Sequence, residues 1–279
     1  MNTRNSLHRA NKLSRRHLML GMIAGTVGVA AQPIGLAHAE RPLLPHLRVE
    51  DVGTPFGTSA GRRILTQDAA TSATTAVHVF PENWQGGGVA HYHSCAEEVY
   101  VISGDITLNG RDYLTAGSYL YRPGGIVHGH NEGSKSGCRC LIRTDGLLNF
   151  NYIPEPKSGE ENVEIPSDDG RPHILHLRAP DIAGTWQGAD QTGYERKILS
   201  EDRKTGDTTS LLRFPTGWTG PYIPPPGIAL EWLVIDGQVT MSDGTVFKQG
   251  SYSYRPASQQ QVAFASAEKD TEILLWQLS

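Results

Sequence analysis

The chain has 279 residues, with 25 lysines and arginines against 29 aspartates and glutamates and a net charge of −4. That length allows one or two domains with real cores, and the acidic balance argues against a nucleic-acid partner. The 31 glycines and 17 prolines fall between short apolar runs, which favours strands and turns over long helices.

The first element is a leader. Residues 1–39 carry Arg4, Arg9, Lys12, Arg15 and Arg16 and no acid, then an apolar stretch from Leu18 to about Ala31, then Ala37-His38-Ala39 as a small-x-small cleavage site. This is the plan of a secretory signal peptide. Ser14-Arg15-Arg16-His17-Leu18-Met19 resembles a twin-arginine export signal, which implies a periplasmic or secreted protein, folded before export. Cleavage after Ala39 leaves 20 basic against 29 acidic residues, a net charge of −9. No later segment reaches the ~20 apolar residues of a membrane span, so the mature chain is expected to have none.

Beyond the leader the sequence repeats once. Gly117-Ser118-Tyr119-Leu120-Tyr121-Arg122-Pro123 returns as Gly250-Ser251-Tyr252-Ser253-Tyr254-Arg255-Pro256, and Glu98 to Gly104 returns as Glu231 to Gly237, both at an offset of 133. Phe80-Pro81 and Trp84 return as Phe214-Pro215 and Trp218, and His46-Leu47-Arg48 as His176-Leu177-Arg178. The matches define two copies of one fold, residues 43–150 and 173–279, joined by a polar linker over 151–172.

Within a copy the pattern is strand and turn. Val99-Tyr100-Val101-Ile102 stops at Gly104, Ile106-Thr107-Leu108 at the hairpin signal Asn109-Gly110, and Ser118-Tyr119-Leu120-Tyr121 at Pro123-Gly124-Gly125. Short strands at this spacing predict an all-β sandwich or small barrel in each copy, with little helix.

The chemistry lies in His91-Tyr92-His93-Ser94-Cys95-Ala96-Glu97-Glu98. In a strand, residues two apart share a face, so His91 and His93 can converge on one ion. His128 follows the turn at Pro123–Gly125 and can meet them from a later strand. Imidazole nitrogens and a carboxylate suit a divalent transition metal. The segments His91-x-His93-x3-Glu97-x6-Gly104 and Gly117-x5-Pro123-x-Gly125-x2-His128 resemble the two motifs of the cupins. The leading glycine of the first motif has no clean counterpart, and the closing asparagine falls one residue early, at Asn131. The resemblance implies two tandem jelly-roll barrels and a metal held by His91, His93, Glu97 and His128, with Fe, Mn or Zn expected and Ni or Cu also compatible. It also makes a homodimer an expectation.

The second copy separates ligands from scaffold. Glu98 has a counterpart in Glu231, whereas Glu97 is matched by Leu230, the paired histidines by Pro224-Pro225-Pro226-Gly227, and His128 by Gln261. Glu97 is therefore the expected ligand, Glu98 a structural acid, and the second copy a lobe without metal. The same logic makes Arg122, matched by Arg255, a structural ion pair or turn contact. His130 shares the strand parity of His128 and is a candidate acid–base group, although such a histidine is more often simply exposed. Tyr92 should face away from the ion, and Cys95 is a loop thiol rather than a further ligand. Tyr100, Trp84 and Trp218 read as core or barrel-mouth residues.

Three cysteines, Cys95, Cys138 and Cys140, cannot all pair within the chain, and Cys138-x-Cys140 on one strand face disfavours a mutual bond. The expected function is an exported metal-dependent enzyme acting on a small organic molecule, with dioxygenase or other oxidoreductase chemistry at an open metal position, or lyase work. The alternative is a metal-bound protein without catalysis that binds or senses a small molecule.

Overall fold

Strand-forming alternation runs through the computed structural model, which describes residues 41–48, 60–87, 89–153, 170–178, 186, 188, 193–260 and 262–279. The leader expected over residues 1–39, most of the linker and Gln261 lie outside these residues.

The strands of the first half are β1 (Leu44–Arg48), β2 (Gly61–Gln67), β3 (Thr74–Glu82), β4 (His91–Tyr92), β5 (Glu97–Thr107), β6 (Tyr113–Thr115), β7 (Ser118–Arg122), β8 (Ser136–Thr144) and β9 (Asn151–Tyr152). The second half adds β10 (Ile174–Arg178), β11 (Glu195–Glu201), β12 (Thr208–Phe214), β13 (Trp218–Tyr222), β14 (Ala229–Asp236), β15 (Gln238–Met241), β16 (Val246–Lys248), β17 (Ser251–Arg255), β18 (Phe264–Ala267) and β19 (Thr271–Leu278). There is no helix among the described residues, as the glycine and proline spacing predicts.

The repeat is visible in the pairing. A seven-stranded sheet runs β10-β7-β5-β8-β3-β2 with β6 attached to β5, and a six-stranded sheet runs β1-β17-β14-β19-β12-β11. Glu98 opposes Tyr121 in the first sheet, and Glu231 opposes Tyr254 in the second. The repeat does not reveal that the leading strands are exchanged. β1, from the first copy, pairs with β17, and β10, from the second copy, pairs with β7. At the ends of the expected linker, Asn151 and Tyr152 pair with β4, and Arg171 is buried.

Both faces of the central strands are buried. On β5, Val99 and Val101 point into the first barrel with Ile106, Leu114, Leu120, Cys138 and Cys140. Tyr100 points outward into a seam shared by the lobes, with Tyr119, Tyr121, Leu141, Leu233, Tyr252, Tyr254 and Trp276. The second barrel is filled by apolar groups that include Leu212, Phe214, Leu230, Trp232, Phe247 and Phe264. Burial on two faces explains why these strands read as nearly continuous apolar runs.

One expected strand end is a bend instead. β5 continues through Gly104, whose φ of 77° and closeness to the Gly137 carbonyl oxygen, 1.8 Å from where a Cβ would stand, leave no room for a side chain. The hairpin to β6 spans five residues, with Thr107 opposite Tyr113. All three cysteines are free and buried.

Candidate metal centre

Three loops and strand ends meet at one end of the first barrel. β4 supplies His91, the loop after it His93, and the turn after β7 His128. His91 and His128 exchange both backbone hydrogen bonds, each 2.8 Å, so the two side chains stand side by side. The Gly125 N–H donates to the His93 carbonyl at 2.8 Å and ties the third histidine to the same turn.

The three imidazoles each offer a nitrogen, and these atoms lie within 4.8 Å of one another. Ring centroids are 5.0 Å apart for His91 and His93, 4.6 Å for His91 and His128, and 4.9 Å for His93 and His128. Each Nδ1 is engaged by a backbone carbonyl: His91 with Val89 at 3.3 Å, His93 with Asn149 at 2.5 Å and His128 with Ile126 at 2.9 Å. A carbonyl can only accept, so Nδ1–H is the donor and Nε2 keeps its lone pair. Burial lowers the pKa of His91 and, more strongly, of His128, which favours the neutral imidazole that a metal requires.

Glu97 enters from the first residue of β5. Its Oε2 lies 3.7 Å from His128 Nε2 and 3.3 Å from an Arg122 Nη1 donor, with both partners buried. Burial pushes its carboxyl up, but the imidazoles and the Arg122 guanidinium outweigh that and bring it down to about 2. The three imidazole nitrogens form one converging group, and Glu97 stands beside it, next to His128 and paired with Arg122, but outside that group.

A strap crosses the mouth. Asn149 receives the Ser94 N–H at Oδ1, 2.9 Å, and donates from Nδ2 to Ser94 Oγ at 3.0 Å. The strap carries Phe150 over His91 and His93, with centroids at 4.9 and 5.0 Å, and stacks Phe150 near Tyr152 at 6.0 Å.

The remaining expected residues are placed as follows. Glu98 is turned away into the seam, where Arg171, Tyr119 and Trp276 donate to it at 2.6, 2.7 and 2.8 Å. Arg122, read from the repeat as scaffold, is bonded to Glu97 and so belongs to the centre. His130 lies outside the three-histidine group, with a buried Nδ1 that has no partner. Cys95 is buried, and burial raises its thiol to about 12, an inert form. Trp84 packs against Phe80 inside the first barrel, at 4.5 Å.

Two groups were not legible beforehand. His78 on β3 has a buried Nε2 without a partner, and burial lowers its pKa to about 4. Glu132, on the loop after His128, is half-buried, and desolvation and the Glu97 charge push its carboxyl up to about 7, against the pull of Arg122. Neither falls in a recognisable spacing. The signal available for Glu132 was its replacement in the second copy.

Two jelly-roll barrels, one with a buried three-histidine cluster and one packed solid, define a tandem cupin fold. Within it, residues 54–147 match the family described as a ChrR Cupin-like domain, and residues 183–277 match a domain family of unknown function, DUF4437. A search of curated proteins returns no match. Among solved structures, a candidate dioxygenase from Nostoc punctiforme is 19% identical with a TM-score of 0.65, over 86% of this chain and 88% of that one. Salicylate 1,2-dioxygenase from Pseudoaminobacter salicylatoxidans is 13% identical with a TM-score of 0.58, over 87% and 83%. The protein Ylba from E. coli is 15% identical with a TM-score of 0.56, over 89% and 95%. At these identities the likeness is one of fold.

Proposed function

We propose that the first barrel binds one divalent transition metal through His91, His93, His128 and Glu97, and that the protein is an exported enzyme using it to oxidise a small organic molecule. The observation that carries this reading is the cluster of three buried imidazoles, each held by a backbone carbonyl at Nδ1 so that Nε2 keeps its lone pair. Bound there, the ion would supply Lewis acidity and, if Fe or Mn, electron exchange with dioxygen.

The chain's own residues do the rest. Backbone carbonyls fix the ring orientations, and Arg122 holds Glu97 charged inside the barrel. The Phe150 strap limits water at the mouth. The dioxygenase named among the structural neighbours favours oxidation over hydrolysis, and Arg15-Arg16 with Ala37-His38-Ala39 supports export. The second barrel places Leu230 where the first has Glu97, so one ion per chain is expected.

Elemental analysis of the native protein, followed by oxygen uptake against a panel of enols, diketones and small acids, tests the proposal. Stoichiometric Fe or Mn with uptake supports it. Stoichiometric Zn without turnover points instead to a metal-bound binder or sensor, and absence of bound metal overturns both.

A further inference from the structure

Three observations single out Glu132. The first is register. Thr107 bridges Gly133 in the first barrel, and Thr240 pairs with Ser266 in the second, so Glu132 corresponds to Ala265. Glu132 is therefore lost from the second barrel together with every proposed ligand, while the seam residue Glu98 keeps its counterpart in Glu231.

The second is the space around it. A Cβ on Gly86 would stand 2.7 Å from Glu132 Cβ and 3.1 Å from its Oε2. A Cβ on Gly129 would stand 2.3 Å from His91 Cε1 and 3.4 Å from Glu132 Oε1. Two glycines thus make the slot in which this carboxyl sits. Its Oε1 is less than about 6 Å from His91 Cε1, the carbon bonded to Nε2, a gap that one water or one ligand atom spans.

The third is isolation. Among the described residues no hydrogen bond or ion pair holds the Glu132 carboxyl, and its side chain is only half-buried, so its oxygens stay available to a ligand or water. The charged and titratable groups facing it are Glu97 and Arg122 on the barrel wall and His91 across Gly129.

We propose that Glu132 is the acid–base residue of the first barrel, exchanging a proton with the small molecule held at the histidine cluster. This assignment rests on the enzyme reading above. In one direction the carboxyl O–H of Glu132 passes its proton to a basic oxygen or nitrogen of the bound molecule, leaving a carboxylate whose charge Arg122 balances. In the other, the carboxylate takes a proton from that molecule or from water. No oxidant or reductant is involved in this step.

The test compares the full-length wild type with Glu132→Gln and Glu132→Asp. Three properties are read: Mn(II) and Zn(II) stoichiometry, melting temperature, and oxygen uptake on the same panel across pH. Glu132→Gln should keep one metal per chain, melt at the same temperature or higher, lose turnover by about 100-fold and lose one limb of the pH profile. Glu132→Asp should recover part of both. Unchanged turnover and pH profile in Glu132→Gln, with wild type active, overturn this assignment alone. Turnover that falls only in step with metal content or melting temperature shows a structural role and also overturns it. A metal-loaded wild type inactive on the whole panel removes the enzyme reading, and this assignment with it.

Discussion

Glu97 and Glu98 are adjacent on one strand and serve opposite sides of it: Glu97 faces the histidines inside the first barrel, and Glu98 faces the seam. In the seam Arg143 reaches Glu98 from Nη1 and Glu231 from Nε, both at 3.4 Å. Tyr119 and Tyr252 each donate to their own glutamate at 2.7 Å. The two halves of the chain therefore share one buried ionic cluster, closed by Arg171 on Glu98 and Arg41 on Glu231.

This division predicts a contrast. Glu98→Leu strands Arg171 and part of Arg143 in the interior and should cost about 3–5 kcal/mol of stability. Glu97→Gln should move the urea midpoint less but release bound metal. Urea unfolding and metal content, measured on both variants, check the pair.

The barrels should also separate by substitution. His93→Ala should sharply lower metal content with the fold retained, while Gln261→Ala should leave metal content unchanged. Trp232→Ala, which empties the core of the second barrel, should cost about 3–5 kcal/mol yet leave the folded protein with its full metal complement. Equal metal loss from His93→Ala and Gln261→Ala would contradict the single-site reading.

Gly129 has a φ of 87°, and a side chain there would collide with the His91 ring. Gly129→Ala should therefore behave as a His91 variant. Metal affinity should fall at least tenfold in a competition titration, with a smaller change in far-ultraviolet circular dichroism than any core variant shows.

Acid should weaken the metal-free protein early. An unfolded His78 takes a proton below pH 6.5, whereas the folded one does so only near 4. Its stabilising contribution is complete above pH 6.5 and lost as pH falls towards 4, amounting to about 3 kcal/mol. His91 and His128 shift in the same direction. Urea midpoints of chelator-treated protein should drop across that window, and His78→Phe should flatten the drop. Glu132 acts with the opposite sign: its raised carboxyl withdraws stability as pH rises from 4.5 through 7, so Glu132→Gln should gain most above neutrality.

Much of this was legible in the residues. Tyrosine, arginine and proline recurring at a fixed offset revealed two copies, and the return of Glu98 as Glu231 while Glu97 gives way to Leu230 told the structural acid from the expected ligand. Arg122 does form the expected ion pair, but its partner was hidden because a repeated residue need not keep its partner: it bonds Glu97, whereas Arg255 lies 3.9 Å from Asp243. The exchange of β1 and β10 was hidden because a five-residue apolar strand fits the edge of either sheet equally well. Glu132 was missed because proximity to His91 depends on a glycine bend that no spacing rule describes.

The lent strands make the inherited unit and the folded unit different stretches of chain. Residues 61–178 contain every strand of the first sheet, whereas the copy 43–150 lacks its last member and carries one that belongs elsewhere. A protein made from a single copy could complete its sheet only by trading leading strands with a second molecule. The tandem chain makes that trade permanent, and a loan between molecules becomes a property of one.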